Sequence, residues 1–304
     1  MPELPDIEAY LHCLRRRVDG RTLVRVRVHG PSLLRSVDPD VDALRGRRVE
    51  RISRLGKRIV IGLDGDVALV LHLMIAGRLR WSDGAPSGPP ARPSSATSAE
   101  FAFDSGTLSL VEQATHKRAT LHATAGAAAL AAHDPGGLEP LTASLGEFLA
   151  ALRRERRTLK RALTDPRTFA GIGNAYSDEI LHAARLSPLR LTSQLSDDEA
   201  RALYEATHGT LSAWRDRLVE RFATRFPSPR DVTAFRPEFA VHGKFGAPCP
   251  VCATAVQRIV RGEHETNYCP RCQTGGSLLA DRSLSRLVKD DWPATIDEWE
   301  REGS

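Results

Sequence analysis

Four cysteines near the C-terminus form two closely spaced pairs, Cys249-Pro-Val-Cys252 and Cys269-Pro-Arg-Cys272. Each pair can present two thiolates to one ion, and four thiolates complete the closed tetrahedral shell that structural zinc prefers. The 253–268 stretch between the pairs is long enough for two strands that run out and back, so the sequence predicts a zinc-bound hairpin. Two disulfides, or a chance spacing, are the alternatives.

The N-terminus, Met1-Pro2-Glu3-Leu4-Pro5, carries a second group with chemical potential. If Met1 is removed, Pro2 becomes a free secondary amine. N-terminal amines have a pKa of about 7.7–8.0, so part of the population is neutral and nucleophilic at physiological pH. Such an amine can attack a sugar C1′ and form an iminium, with Glu3 beside it as a candidate acid or base. The alternative is a stiff N-terminal cap, in which the two prolines only delay the following helix.

A glycine-rich turn precedes a helical pattern at Gly171-Ile-Gly173-Asn174. Asn174 is a good N-cap, and the acidic pair 178–179 suits the positive first turn of a helix. Without side chains at the two glycines, backbone N–H groups can approach an anion such as a phosphate. A plain helix-capping turn is the alternative.

The elements that must position these groups fall into two regions. Apolar spacing predicts a helix over residues 6–19. The alternating segments after it predict strands at 23–28, 48–55, 58–63, 67–73, 100–103 and 107–111. Residues 82–98, rich in Pro, Ser, Gly and Ala, predict a flexible insertion. From residue 144 the pattern predicts helices at 145–155, 159–164, 174–185 and 196–221, then an irregular connector.

Composition limits the classes of protein that fit. At 41% hydrophobic and 27% charged residues, the 304-residue chain is typical of a globular protein with room for more than one domain. No apolar run approaches the roughly 18 residues of a membrane span, and the N-terminus lacks a secretory core. If the four paired cysteines bind zinc, only Cys13 remains, which excludes a disulfide framework and predicts a reducing cytoplasm. The net charge of +5, with arginine in excess over lysine, favours phosphate-bearing partners.

The opening Pro-Glu-Leu-Pro, the Gly-Ile-Gly-Asn turn and the four-cysteine hairpin occur in this order, at matching distances, over roughly residues 2–277. Together they resemble the formamidopyrimidine-DNA glycosylase and endonuclease VIII family of base-excision repair enzymes. The resemblance implies an α+β multidomain fold. Its parts would be an N-terminal β-sandwich domain with flanking helices at 1–141, a helix–two-turn–helix domain at 142–238, a zinc-finger β-hairpin at 239–277 and a tail at 278–304.

The resemblance also implies roles for particular residues. Pro2 would be the nucleophile, Glu3 the acid that assists sugar ring opening, and Lys57 a phosphate contact beside the lesion. The remaining DNA-binding residues would be His72, Lys160, Asn174, Arg258, Arg261 and His264. The protein would then be a bifunctional DNA glycosylase/AP lyase. It would act as a monomer on double-stranded DNA in the cytoplasm, near the nucleoid and not on membranes, with one structural zinc ion.

Several positions depart from the family pattern. Asp6 stands where the family usually has Glu. Met74-Ile75 replaces the usual Gly-Met, so either residue could fill the gap that a flipped base leaves, or either could be a buried strand residue. Residues 112–121 lack the arginine and phenylalanine wedge of the purine-lesion branch, and residues 226–235 replace the usual loop after the long helix. His264 replaces a phosphate-binding arginine, for which Arg258 or Arg261 could substitute. These losses motivate an alternative function: a non-catalytic binder of damaged or branched DNA that retains the scaffold.

Overall fold

A computed structural model describes residues 1–30, 32–85, 94–262, 264–279 and 293–302. The chain divides into two units, the first formed by residues 1–136 and 213–234, the second by residues 137–212 and 235–304. The predicted domain boundaries at 141, 238 and 277 stay predictions. Among the described helices, none is both long and apolar enough to cross a membrane.

The first unit begins with helix α1 (Leu4–Val18), whose apolar side is buried. Two four-stranded antiparallel sheets follow, built from β1 (Leu23–Val28), β2 (Val49–Leu55), β3 (Arg58–Leu63), β4 (Val67–His72), β5 (Gly77–Asp83), β6 (Thr97–Phe103), β7 (Gly106–Glu112) and β8 (Thr120–Ala125). The strand orders are β1-β6-β7-β5 and β2-β3-β4-β8. A short helix, α2 (Ala127–Ala131), comes after the last strand.

Alternation along the strands decides which face is buried. In β3, Ile59 and Ile61 are fully buried, and they share one hydrophobic core with Leu69 and Leu71 of β4, with the β1-β6-β7-β5 sheet and with α1. Because successive side chains of a strand point to opposite faces, the residues between them lie on the outer face of the sheet. The predicted N-terminal β-sandwich with a flanking helix is confirmed.

The second unit is helical around a small zinc module. Its helices are α3 (Leu145–Arg153), α4 (Leu159–Thr164), α5 (Asn174–Ala183) and residues 197–212 of α6 (Asp197–Arg221), whose residues 213–221 belong to the first unit. The hairpin strands are β9 (Gln257–Arg261) and β10 (His264–Tyr268), followed by α7 (Pro270–Thr274) and α8 (Ile296–Glu302). The predicted helical domain and zinc-finger β-hairpin are confirmed.

Two predicted segments need separate comment. Of the flexible insertion predicted at 82–98, residues 86–93 lie outside the described part. The prediction is wrong for residues 82–83, which end β5, and for residues 97–98, which begin β6. Of the predicted tail, residues 280–292 and 303–304 also lie outside the described part, and residues 296–302 form α8.

Candidate active site and phosphate-binding elements

The N-terminal motif is held at the start of a buried helix. Pro2 is buried, Glu3 is the N-cap residue of α1, and its side chain is almost wholly inside the protein. The backbone N–H of Glu3 donates to Oδ2 of Asp6 at 2.9 Å. The carboxylate therefore satisfies an orphan donor of the first helical turn. Asp6, the shortened residue at this position, fixes the direction in which the chain enters α1.

The N-terminal amine lies among ionisable groups of the first unit. In the structure this amine belongs to Met1, one residue before the nitrogen that Pro2 would expose. Burial lowers the pKa of the amine; Glu3 raises it, and Arg78 and Lys57 lower it further. Because burial penalises the charged form of an amine, the site favours the neutral, nucleophilic form. The alternative role of the N-terminus, a stiff cap on α1, does not require ionisable groups around the amine.

Lys57 reaches this group from a tight turn. Leu55 and Arg58 pair across β2 and β3, which leaves a two-residue turn of Gly56 and Lys57. Gly56 has φ +57°, as the first central residue of a type II′ turn requires. Lys57 is half-buried; burial lowers the pKa of its ammonium and Glu3 raises it. The structure thus brings Lys57, Glu3 and the terminal amine together.

His72 ends β4 directly opposite Arg58 of β3. Burial, together with the Arg58 and Lys57 cations, lowers the pKa of its imidazole to about 4. The ring is therefore neutral at pH 7 and can take part in hydrogen bonds but not in an ion pair. Its contact with DNA stays a prediction.

Met74 and Ile75 lie in the turn between β4 and β5, so neither is a buried strand residue. Ile75 is 52% exposed, and Met74 adopts φ +53°. The turn closes tightly at Gly77, where a Cβ would lie 2.3 Å from Leu73 O. Ile75 is the more accessible of the two candidates to fill a gap in DNA.

Arg78 is a residue that sequence reasoning missed. Its guanidinium donates to Ile75 O at 3.0 Å, to Gly77 O at 2.8 Å and to Val232 O at 2.6 Å. Arg78 therefore braces the turn that presents Ile75, and it is also one of the cations that lower the pKa of the terminal amine. The alternation Arg-Leu-Arg in residues 78–80 is the signal that could have identified a strand here.

The segment that replaces the family wedge is organised by Glu112, a second missed residue. Its buried carboxylate accepts the N–H groups of Arg118 at 2.9 Å and Ala119 at 3.0 Å, and the Ser98 hydroxyl at 2.9 Å. The side chains of His116 and Arg118 are exposed on the resulting loop. The loop offers basic groups without the aromatic wedge.

In the second unit, Lys160 lies inside the protein. Its ammonium donates to Asn174 O at 2.7 Å and to Asp178 Oδ1 at 2.5 Å. Asp178 also accepts from His242 Nδ1 at 2.7 Å and from Asn267 N at 3.1 Å. These contacts place Lys160 in a network that holds the start of α5, and its direct contact with DNA stays a prediction.

Asn174 joins the glycine-rich turn to the hairpin. It is the first residue of α5 rather than its N-cap, which is Gly173. Its side-chain Nδ2 donates to Glu265 O of β10 at 2.8 Å. One turn later, Glu179 accepts the backbone N–H groups of residues 240–242 at 2.7–2.9 Å. The groups that form these hydrogen bonds are buried or half-buried. The bonds therefore hold α5 in a fixed position against β10 and residues 240–242.

The four cysteine sulfurs converge as the sequence predicts. They all lie within 4.8 Å of one another. The separation is 3.4 Å for Cys252–Cys269 and for Cys252–Cys272, and 3.9 Å for Cys249–Cys272. Tetrahedral zinc with Zn–S bonds of about 2.3 Å requires sulfurs about 3.8 Å apart, so the set fits the ion. A shell of four thiolates leaves no position for substrate, which makes the site structural.

Burial opposes ionisation at three of the four thiols. Burial raises the pKa of Cys272 to about 11 and also raises that of Cys269. Burial opposes ionisation of Cys252 too, but hydrogen bonds from Thr254 bring the pKa of that thiol down to about 6. Zinc deprotonates coordinating thiols outright, so a bound ion would overcome this opposition.

His182 of α5 approaches the cluster from outside. Its Nε2 lies 3.3 Å from Cys249 Sγ in a buried environment. A neutral imidazole that donates a hydrogen bond from Nε2 to the sulfur stabilises a thiolate ligand and fixes its direction.

We expect His182→Ala to lower zinc affinity about 10–100-fold, the range for loss of such a partner. Competition with a chromogenic chelator measures this affinity, and His208→Ala on α6 is the control. Equal zinc affinities for the two variants would contradict the role of His182.

The hairpin carries the remaining predicted DNA contacts. Arg258 lies over the Phe245 ring at 4.3 Å and pairs with Glu265 at 3.2 Å, so its guanidinium is oriented at the surface. Arg261 and His264 form the last cross-strand pair of the hairpin. Their side chains lie outside what the structure describes, and their contacts stay predictions.

Three family models match the chain in order. Residues 1–128 match the formamidopyrimidine-DNA glycosylase N-terminal domain, residues 137–214 its H2TH domain, and residues 246–275 the zinc finger found in FPG and IleRS. The formamidopyrimidine-DNA glycosylase of Heliobacterium modesticaldum is 34% identical over 279 residues, which cover 90% of this chain and 100% of that protein. The chain belongs to the formamidopyrimidine-DNA glycosylase family.

Solved structures of the formamidopyrimidine-DNA glycosylase family share the fold. The MutM (Fpg) protein of Thermus thermophilus is 32% identical, with a TM-score of 0.72 over 90% of this chain and 98% of that one. Lactococcus lactis Fpg in complex with abasic-site DNA is 23% identical, with a TM-score of 0.75 over 90% of this chain and 99% of that one. The zinc-finger match, together with the converging thiols, confirms one structural zinc site.

Proposed function

We propose that this protein is a bifunctional DNA glycosylase/AP lyase of base-excision repair, which removes an oxidised or otherwise damaged base. The observation that carries the proposal is the position of Pro2, which is buried at the start of α1 next to the buried Glu3, with Lys57 acting on both Glu3 and the neighbouring Met1 amine. Family membership supports the same reaction, since the full-length relatives are formamidopyrimidine-DNA glycosylases. We further propose that the protein acts as a monomer on double-stranded DNA in the cytoplasm, near the nucleoid.

The chemistry follows from the positions of the groups. The lone pair of the Pro2 nitrogen attacks C1′, and the C1′–N bond to the damaged base breaks, with the electron pair and a proton leaving on the base. Glu3 supplies a proton to the sugar ring oxygen, so the ring opens and a C1′ iminium forms. The cationic iminium acidifies the C2′ proton. Loss of that proton expels the 3′ phosphate, and a second elimination expels the 5′ phosphate. Water adds to C1′ of the remaining iminium, and the C1′–N bond breaks, which frees Pro2 and leaves the sugar fragment as an aldehyde.

The other groups would position the duplex. Lys57, His72, Asn174 and the hairpin arginines would contact phosphates without reading sequence. A base must leave the stack before its C1′ becomes accessible, and the exposed Ile75 is the residue we propose to occupy the vacated space. Arg78 would hold Ile75 in place through its backbone contacts.

Borohydride trapping tests the proposal. The mature protein, verified by mass spectrometry to begin at Pro2, is incubated with an abasic-site duplex and reduced. We expect a covalent protein–DNA adduct that peptide mapping assigns to Pro2. The absence of an adduct would contradict the catalytic function and favour the DNA-structure binder, whose binding needs no covalent step.

The pH dependence of trapping should report the environment of the amine. Only the neutral amine attacks, so the trapping rate falls as pH drops through the amine pKa. Pro2 is buried, and burial penalises the charged form of an amine, so the midpoint should lie below the value of about 8 for an exposed N-terminal amine. Arg78→Met removes a cation that lowers the pKa, and the midpoint should move to higher pH. Arg80→Met, an exposed arginine of the same strand, is the control; equal midpoints for the two variants would refute this account of the amine.

A further inference from the structure

The outer face of the β2-β3-β4-β8 sheet carries a group of basic side chains that the proposed reaction does not use. Strand register places Arg58 of β3 opposite His72 of β4, and Val70, two residues before His72, opposite His122 of β8. Arg58, Val70, His72 and His122 therefore share one face. Further along that face, Val60, Ala68 and Val70 form a small apolar cluster against Leu130 of α2. The face is thus apolar under α2 and basic at the end nearer the Lys57 turn.

A third histidine, His133, is brought onto this face by the chain after α2. The His133 N–H donates to Leu130 O, which continues the helical turn beyond α2. The His133 ring then lies 4.4 Å from the His122 ring, centroid to centroid, at an interplanar angle of 53°. Both side chains remain partly exposed.

The charges around this pair are mostly of one sign. Burial lowers the pKa of His122, and so do His133, Arg58 and Arg35; burial and Arg58 lower the pKa of His133. Among these interactions, Asp134 is the group of opposite charge: burial lowers the pKa of Arg58, and Asp134 raises it. Two arginines and two imidazoles therefore converge on one place, where an anion would relieve their mutual repulsion.

We propose that Arg58, His122 and His133, with Arg35 at the edge, form an accessory site for a backbone phosphate of duplex DNA. A guanidinium and two imidazole N–H groups are suitable donors to phosphate oxygens. The site is continuous with the turn that carries Lys57, since Arg58 is the next residue along the chain. This proposal rests on the proposed function in so far as the duplex is the ligand, and it extends the interface from the turn onto the outer face of the sheet.

Phosphate binding at this place would be coupled to protonation. The anion favours the charged form of both imidazoles, so the duplex should bind more tightly as pH falls from 8 to 6. The other charged or titratable groups facing the pair are Arg58, Arg35, Asp134 and His72, and the imidazole of His72 is neutral over this range because burial and the Arg58 and Lys57 cations lower its pKa to about 4. The coupling therefore belongs to His122 and His133.

NMR of the imidazole protons in the full chain tests the site. Undamaged duplex and inorganic phosphate are titrated separately. We expect duplex to raise the pKa of His122 and His133, with assignment from the single variants His122→Gln and His133→Gln. A rise with inorganic phosphate but not with duplex would overturn the assignment to the DNA backbone. No rise with either ligand would overturn the site.

Affinity measurements give a second readout. Arg58→Gln should make the slope of log K against log salt shallower by about 0.9, the effect of one lost phosphate contact on duplex DNA. The double variant His122→Gln, His133→Gln should lose the tightening between pH 8 and pH 6. Arg51→Gln, an exposed arginine of β2 on the same face, is the control for both. An unchanged slope and an unchanged pH dependence would each contradict the proposal. Because undamaged duplex is used, failure of Pro2 trapping would not alter these results.

Discussion

Replacing Pro2 with glycine should slow base excision by roughly 10²–10⁴-fold, comparable with the loss of a positioned acid or base. Glycine also provides an N-terminal amine, but this amine is primary, whereas that of proline is secondary. A secondary amine such as proline gives an iminium that is permanently cationic, whereas a primary amine gives an imine that must first be protonated to withdraw electrons. The rate of β-elimination depends on this cation, so strand cleavage should fall together with base removal. Single-turnover cleavage of a lesion-bearing duplex measures both.

Two controls separate the chemistry from the fold. Pro5→Ala changes the other N-terminal proline, which lies in the first turn of α1, and should leave cleavage close to that of the original chain. A chain that keeps Met1 converts the Pro2 nitrogen into an amide and should form no adduct at Pro2. Affinity for abasic-site duplex should persist in Pro2→Gly, since the phosphate contacts are unchanged. Cleavage by Pro2→Gly at the original rate would favour a different nucleophile.

The parts of the fold that sequence reasoning predicted are those set by local patterns. Apolar spacing located α1 and α5 within two residues at either end, and the Gly56-Lys57 turn explains why β2 and β3 pair where the pattern predicted strands. Strands β5 and β8 were missed. β5 is Gly-Arg-Leu-Arg-Trp-Ser-Asp, and its arginines weaken the apolar signal. β8, Thr-Leu-His-Ala-Thr-Ala, places small and polar residues on a strand whose burial comes from neighbours distant in sequence.

The site was predictable in its reactive groups but not in the contacts that hold them. Pro2, Glu3 and the four cysteines are recognisable by residue type and spacing. The ion pair of Lys160 with Asp178, 18 residues apart, is not, because a lysine in a short predicted helix gives no sign of being buried. Likewise, the pairing of His182 with Cys249 joins residues 67 positions apart. Long-range hydrogen bonds of this kind depend on packing, which one sequence does not reveal.

These contacts join the start of α5 to the hairpin and to the residues before it. Asp178 and Glu179 are adjacent acids in the first turns of α5, and they bind different partners. Asp178 binds Lys160, His242 and Asn267. Glu179 accepts three backbone N–H groups. Both are almost wholly buried. Buried carboxylates are tolerated when their oxygens are satisfied in this way. The position of Asn174 therefore depends on the hairpin staying folded.

Removal of zinc should consequently unfold the hairpin and release the contacts of α5. The module has a very small core, in which Val241 and Val256 pack with Cys249 and Cys269. So few apolar side chains cannot offset the entropy of ordering the segment without the metal. We expect Cys272→Ser, or treatment with a strong chelator, to abolish amide-exchange protection in β9, β10 and the 240–242 stretch. Protection of β3 and β4 in the first unit should remain.

Loss of the hairpin should also weaken binding to abasic-site duplex, because Asn174 loses its Glu265 contact and Arg258 loses its Phe245 and Glu265 supports. Cys13→Ser is the matched control. Cys13 is fully buried in the first unit, where its Sγ donates to Phe222 O at 3.4 Å, and a serine hydroxyl can replace that bond. This variant should keep one zinc per chain by metal analysis and should keep DNA affinity. A metal-free protein whose hairpin stayed protected would show that packing alone holds the module, and it would contradict this role of zinc.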